Sequence, residues 1–254
     1  MVALITGGSS GMGLEFAREL GKRGYDLLLV SNREDELASA AAELQESSGT
    51  AVRTRFQDLA SERAADELVS WCDAERIVPD VLVNDAGMFF FKELLPGDLD
   101  RVQAMLHLHV TTVTRLCILF GGRMKERGSG HILNVSSMAA RIPAPGITVY
   151  SATKAYLRSF GRSYSYELEP YGVHLTTVCP AAIATPLYRL DPKWMRIGVR
   201  VGLIKTPHWL VRRALHAMFR GRRVVSPAFM NVWLPALIAA LPSPLVANLW
   251  KRFK

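Results

Sequence analysis

Val2-Ala3-Leu4-Ile5-Thr6-Gly7-Gly8-Ser9-Ser10-Gly11-Met12-Gly13 is the stretch on which the fold of this chain turns. Val2 to Thr6 is a short apolar run, and Leu14, Phe16, Ala17 and Leu20 then recur at helical spacing. A strand, a glycine turn and a helix in that order present backbone N–H groups at a helix start, where a pyrophosphate is received. Gly7, Gly11 and Gly13 permit the turn and the close approach, with Ser9, Ser10 and Met12 between them as further candidate contacts. The spacing is GxxxGxG and no Gly-Lys-Ser/Thr follows, which argues against a P-loop. An ordinary strand-to-helix turn is the bland alternative.

Outward from this turn, Leu27 to Val30 reads as a second strand ending in Ser31-Asn32-Arg33. NAD-specific sites carry an acid at that corner for the ribose hydroxyls. Here Glu34 and Asp35 come later and start the helix running through Leu37 to Leu44, leaving Asn32 and Arg33 at the corner. A guanidinium there suits a 2′-phosphate, so NADP(H) is expected over NAD(H); a plain surface arginine is the other reading. A third strand from Ala51 to Phe56 leads into Gln57-Asp58-Leu59. Asp58 either accepts from an adenine amino group or caps the helix expected over Ser61 to Trp71. The fourth strand, Val81 to Val83, ends in Asn84-Asp85-Ala86-Gly87, small enough for a flat ring to approach; the fifth, Ile132 to Val135, ends in Ser136-Ser137. This βαβαβ alternation predicts an α/β, Rossmann-type doubly wound parallel sheet in a single domain, with ligands at the carboxyl ends of the strands.

Val149-Tyr150-Ser151-Ala152-Thr153-Lys154-Ala155 carries the chemistry. Tyr150 and Lys154 are four apart, so a helix sets them on one face, one turn from each other. An ammonium beside a phenol favours the phenolate and pulls its pKa down from roughly 10. Such a tyrosine can give a proton to a ketone oxygen or take one from an alcohol. A solvated surface pair has the same spacing.

The motifs in this order resemble the short-chain dehydrogenase/reductase family, single-domain type, from Met1 to about Val225. The family's TGxxxGxG matches Thr6, Gly7, Gly11 and Gly13; its NNAG appears as Asn84-Asp85-Ala86-Gly87; its YxxxK is Tyr150 and Lys154, the one such match in the chain. The family's serine, thirteen residues before the tyrosine, selects Ser137. The resemblance implies that Ser137 bonds the substrate oxygen, Tyr150 exchanges the proton, and Lys154 holds the nicotinamide ribose. It places Asn84, Ala86 and Gly87 beside the cofactor. It also carries PGxIxT onto Pro180 to Thr185, where Pro180, Ile183 and Thr185 would hold the carboxamide and phosphate side. The nicotinamide brings the hydride and no metal is implied. Two departures stand out. His109 occupies the place of an asparagine that helps hold a water chain, and either joins a relay or is a plain helix residue; Ala181 replaces a glycine.

The 254 residues, 49% hydrophobic, suffice for one large core, and no repeat or linker divides them. The expected catalytic domain is 1–225, followed by a tail over 226–254. Cys72, Cys117 and Cys179 are scattered, suiting a reducing compartment and neither a disulfide framework nor a zinc site. With the chain opening directly on a strand, no signal peptide is expected, and the location is cytoplasmic, peripheral on a membrane. The net charge of +8 is uneven: thirteen Lys/Arg against one acid follow Tyr188. Pro186 to Pro207 mixes apolar and basic residues; the resemblance implies that this segment covers the substrate, so a lid over a hydrophobic ligand is expected, with packing of its apolar side on the domain as the alternative. Val224 to Trp250 carries no charge and is flanked by Arg220, Arg222, Arg223, Lys251, Arg252 and Lys254. Pro235, Pro242 and Pro244 break it, so an interfacial anchor on anionic lipid is expected rather than a regular span, with packing on the body or a second subunit as alternatives. The expected partners are a hydrophobic small molecule, a membrane surface through the tail and a second copy of the chain. Nucleic acid is not among them, for no recognition motif accompanies the charge.

These readings converge on an NADPH-dependent oxidoreductase reducing a lipid-like ketone, of 3-oxoacyl or 3-ketosphinganine type. A hydroxysteroid dehydrogenase and a nucleotide-binding family member with weakened catalysis are the alternatives.

Overall fold

The strands are β1 (Val2–Thr6), β2 (Asp26–Ser31), β3 (Val52–Phe56), β4 (Val81–Asn84), β5 (Gly130–Val135), β6 (Val173–Val178) and β7 (Val224–Val225). All pair in parallel, in the order β3-β2-β1-β4-β5-β6-β7. The structure is a computed structural model and describes residues 1–142, 144–184, 192–200, 204–227, 237–238 and 240–253. The chain runs outward from β1 to β3, then returns to lay β4 on the other side of β1. That reversal opens a crevice above the carboxyl ends of β1 and β4.

The helices are α1 (Gly11–Gly21), α2 (Glu34–Ser48), α3 (Ala64–Ala74), α4 (Leu99–Leu106), α5 (Val113–Arg127), α6 (Thr148–Leu168), α7 (Pro192–Arg200), α8 (Pro207–Phe219) and α9 (Ser243–Phe253). Period-two alternation sorts the sheet residues between two layers. Ala3, Ile5, Leu27, Leu29 and Val83 pack with Phe16 and Leu20 of α1 and Leu210 and Ala214 of α8. Leu4, Leu28, Val30, Leu82 and Ile132 pack with Leu68 of α3 and Leu116 and Phe120 of α5. Because both faces are covered, the central strands read as unbroken apolar runs.

Each strand expected from the sequence is present, some extended by a residue or two. Glu34, Asp35 and Glu36 fill the first turn of α2, where its N–H dipoles favour acids. α3 begins at Ala64 and not at Ser61: Asp58 Oδ1 accepts the Ala60 N–H at 2.9 Å, and that turn comes first. α4 and α5 join through a π-helical turn, His107–Thr112. Pro96–Arg127 is, among the described residues, the one helical stretch long and apolar enough to cross a membrane. Met105, Leu116, Phe120 and Met124 are nevertheless fully buried in the body, the position of a core helix. No disulfide joins the three cysteines, all buried, and burial pushes the thiols up, to about 11 for Cys72 and about 12 for Cys117.

Candidate active site

Above the reversal lies a cleft of about 480 Å³. The glycine turn forms one wall, through Gly7, Ser9, Ser10, Gly11 and Met12. Gly7 has φ +70°, and a Cβ on it would lie 3.0 Å from Ala86 Cα. A Cβ on Gly13 would collide with the Gly7 carbonyl. Gly13 therefore does not line the cleft; it lets α1 close on the turn. Thr6 Oγ1 accepts the N–H groups of Asp85 and Ala86, each at 3.1 Å, and so binds the ends of β1 and β4 together.

Asn32, Arg33, Asp58 and Leu59 line the end of the cleft beyond β2 and β3. The Ser9 and Ser31 hydroxyls are 2.8 Å apart, and Ser31 Oγ also accepts the Arg33 N–H at 3.2 Å. The exposed Arg33 guanidinium donates to Glu36 at 2.7 Å. The Leu59 carbonyl accepts the Thr112 hydroxyl at 2.9 Å, which anchors this loop to the π-helical turn.

At the opposite end stand Tyr150 and Lys154, both buried, on α6. Lys154 Nζ donates to the Val135 carbonyl at 2.9 Å and sits 5.7 Å from the Tyr150 ring centroid. Phe89 meets the Tyr150 ring edge-on at 5.0 Å. Ser137 is buried at the end of β5, and its Oγ accepts the Ala139 N–H at 3.1 Å. Ser136 is turned to structural use, donating to the Lys154 carbonyl at 2.7 Å. Ala86, Gly87, Pro180 and Ile183 complete this end. Thr185 and residues 186–191 of the expected lid, together with 201–203, lie outside the described residues. The chain just before this stretch meets its far part: Ala184 N–H donates to the Lys205 carbonyl at 2.9 Å and Lys205 N–H to that of Ala182 at 3.0 Å.

His109 and Asn84 sit behind the lining. Met88 N–H, which can only donate, gives its proton to His109 Nε2 at 3.0 Å. The ring proton therefore lies on Nδ1, 3.0 Å from Thr153 Oγ1, which in turn donates to the Tyr150 carbonyl at 2.8 Å. Burial, and then the Lys154 charge, hold this imidazole well below the usual histidine range, so it is neutral. Asn84 Nδ2 donates to Asn134 Oδ1 at 2.8 Å and ties β4 to β5.

Asp85, marked as a site residue by no sequence pattern, lines the cleft between the glycine turn and Lys154. Its Oδ1 is buried without a hydrogen-bond partner. Burial pushes its carboxyl up to about 7, against the opposing pull of Lys154 and the Gly13 N–H. Burial also lowers Lys154 to about 8, with Asp85 acting against the shift. Arg101, Ala104 and Leu108, at helical spacing on α4 and the π turn, also face the cleft; their periodicity was the available signal. A further cluster joins Glu15 and Glu19 of α1 to His208 of α8, far apart in sequence and interleaved with Arg18 and Lys22.

The cleft fits a nicotinamide dinucleotide: a Cβ would fill the glycine cradle, a cation stands at one end, and an orphaned buried oxygen lies along the floor. A family model described as short chain dehydrogenase matches residues 1–196. The very-long-chain 3-oxoacyl-CoA reductase of Homo sapiens is 33% identical over 192 residues, 74% of this chain and 61% of that protein. The 17-beta-hydroxysteroid dehydrogenase type 3 of Mus musculus is 30% identical over 187 residues, 73% of this chain and 61% of that protein. The chain thus spans under two thirds of the length of these relatives. Among solved structures, a short-chain dehydrogenase from Sphingobium yanoikuyae in complex with NADPH has a TM-score of 0.79 at 28% identity, covering 95% of this chain and 96% of that one. On these matches the chain belongs to the short-chain dehydrogenase/reductase family, oxidoreductases that use NAD(P) and act on CH–OH groups.

Proposed function

We propose that this chain reduces the ketone of a hydrophobic, lipid-like compound, of 3-oxoacyl or 3-ketosphinganine type, to a secondary alcohol with NADPH. The observation that carries the substrate class is the apolar wall set against the candidate phenol. Phe89 lies edge-on to Tyr150, Met88 packs in the same apolar cluster, and Leu108 also lines the cleft. The likeness to a long-chain 3-oxoacyl-CoA reductase supports the same class. Arg33 at the far corner supports the 2′-phosphate, with Ser9 and Ser31 beside it as hydroxyl donors.

The glycine turn would hold the pyrophosphate, Asp58 and Leu59 the adenine, Lys154 the nicotinamide ribose, and Ile183 the carboxamide. A nicotinamide bound there supplies the hydride. Ser137 Oγ orients the substrate oxygen, and Tyr150 gives its phenolic proton to that oxygen as the carbon is reduced. The ammonium of Lys154, fixed by the Val135 carbonyl, stabilises the phenolate left behind. His109 acts on this machinery from behind, fixing Met88 to the catalytic helix.

The test is oxidation of NADPH and NADH against 3-keto lipids of graded chain length. Rates rising with chain length, and favouring NADPH, are expected; a flat response removes the substrate class. Steroid ketones belong in the same assay because of the 17-beta-hydroxysteroid dehydrogenase relative. Tight NADPH binding with no turnover on any ketone would favour a family member with weakened catalysis.

A further inference from the structure

The rim of the cleft continues into an exposed apolar ridge. Two residues after Phe89 stands Phe91, 59% exposed, then Leu94, Leu95 (56%) and Leu99 (68%), the last opening the helix whose Arg101 and Ala104 line the cleft. This ridge is held to the body: Lys92 N–H donates to the Gly146 carbonyl at 3.0 Å, just before the catalytic helix. The ridge also carries the acids Glu93, half-buried, Asp98, paired with Lys92 at 2.6 Å, and Asp100, exposed.

The tail comes back to this ridge. Trp250 of α9 meets Phe91 at 6.1 Å between ring centroids. Beyond Trp250 and Val246, both half-buried, the described side chains of this 11-residue helix are exposed, Leu245 among them. Leu237 and Leu241 are exposed just ahead of it. A helix this short is marginal in water without a surface to lie on. Its end is cationic, Lys251, Arg252 and Lys254, and the chain after Tyr188 carries thirteen Lys/Arg against one acid.

We propose that the ridge from Phe91 to Leu99 and α9 beside it form one docking face for an anionic bilayer, with the mouth of the cleft opening at the lipid surface. Exposed apolar side chains, followed along the chain by Lys251, Arg252 and Lys254, match the acyl boundary and the phosphate layer of such a surface. The inference builds on the lipid-ketone reading, but its test measures binding and not turnover.

The full chain is floated with vesicles of phosphatidylcholine, with and without phosphatidylserine. Flotation with the phosphatidylserine vesicles, weakened by salt, is expected. Leu95→Glu with Leu99→Glu should cut the bound fraction about tenfold or more. Melting temperature and reduction of a small water-soluble ketone should be unchanged. The proposal is overturned if the parent chain does not float with phosphatidylserine, or if the double variant floats equally well. It is also overturned if the parent is a dimer in solution that the double variant splits, for the face is then a protein interface. Retained flotation with no turnover of 3-keto lipids would strike the substrate reading and leave the docking face standing.

Discussion

Asp85 holds a carboxyl in a cleft that resists its charge. Burial raises it to about 7 from 3.8, so between these values the folded chain keeps a proton that the unfolded chain has released. Stability therefore falls as pH rises through that window, and above it the full cost is present. Asp85→Asn is expected to raise unfolding free energy on the order of 2 kcal/mol at about pH 8 and to change little near pH 4. Denaturant titrations at the two pH values check it. The same substitution removes an anion that supports the Lys154 ammonium. The alkaline limb of kcat/KM for reduction should then move to lower pH; a limb that stays in place would mean that the two groups do not communicate. Tyr150→Phe removes the proposed proton donor and should lower kcat by roughly 10²- to 10⁴-fold. NADPH binding, followed by fluorescence, should survive. The pair Tyr150 and Lys154 was legible because helical spacing puts them on one face and the resemblance to the family, carried by the motifs upstream, sets them apart from a surface pair. The plight of Asp85 was not, since it depends on a burial that no local pattern encodes.

At the scale of elements, the π-helical turn is where the long helix addresses the site. His109 accepts from the Met88 N–H and faces Thr153, linking the wall of the cleft to the helix that carries Tyr150 and Lys154. His109→Leu leaves that N–H without its acceptor and should cost about 1–3 kcal/mol, read by denaturant unfolding. The acid limb of the wild-type pH–rate profile should lack a break belonging to this ring, because the imidazole is already neutral there. A break near the ordinary histidine pKa, lost in His109→Leu, would return the ring to a proton relay. Strand β1, its turn and α1 were readable in full, since apolar run, glycine spacing and helical period agree. The start of α3 was misplaced by three residues because the Asp58 side chain closes a turn first. The partners of His109 are separated from it by 21 and 44 residues, beyond the reach of any local signal.

Across the whole molecule, the sheet order makes the last strand a buttress for the one before it. Thr177 N–H donates to the Arg223 carbonyl and Cys179 N–H to that of Val225, both at 2.8 Å, while the Thr176 hydroxyl reaches the Arg222 carbonyl at 2.6 Å. A chain ending at Pro227 keeps these bonds and should melt within a few degrees of the full chain. One ending at Gly221 strips them and should lose about 2 kcal/mol or more. Neither β6 nor β7 was placed from the sequence; the two residues of β7 are too few to make a pattern, and only pairing defines them. The fate of the three thiols has a practical side. With Cys72, Cys117 and Cys179 enclosed and held protonated, maleimide chemistry on the native protein should be slow. Ala247→Cys on the exposed side of α9 would then be a lone handle for a dye or spin label, attached without deleting any native sulfur.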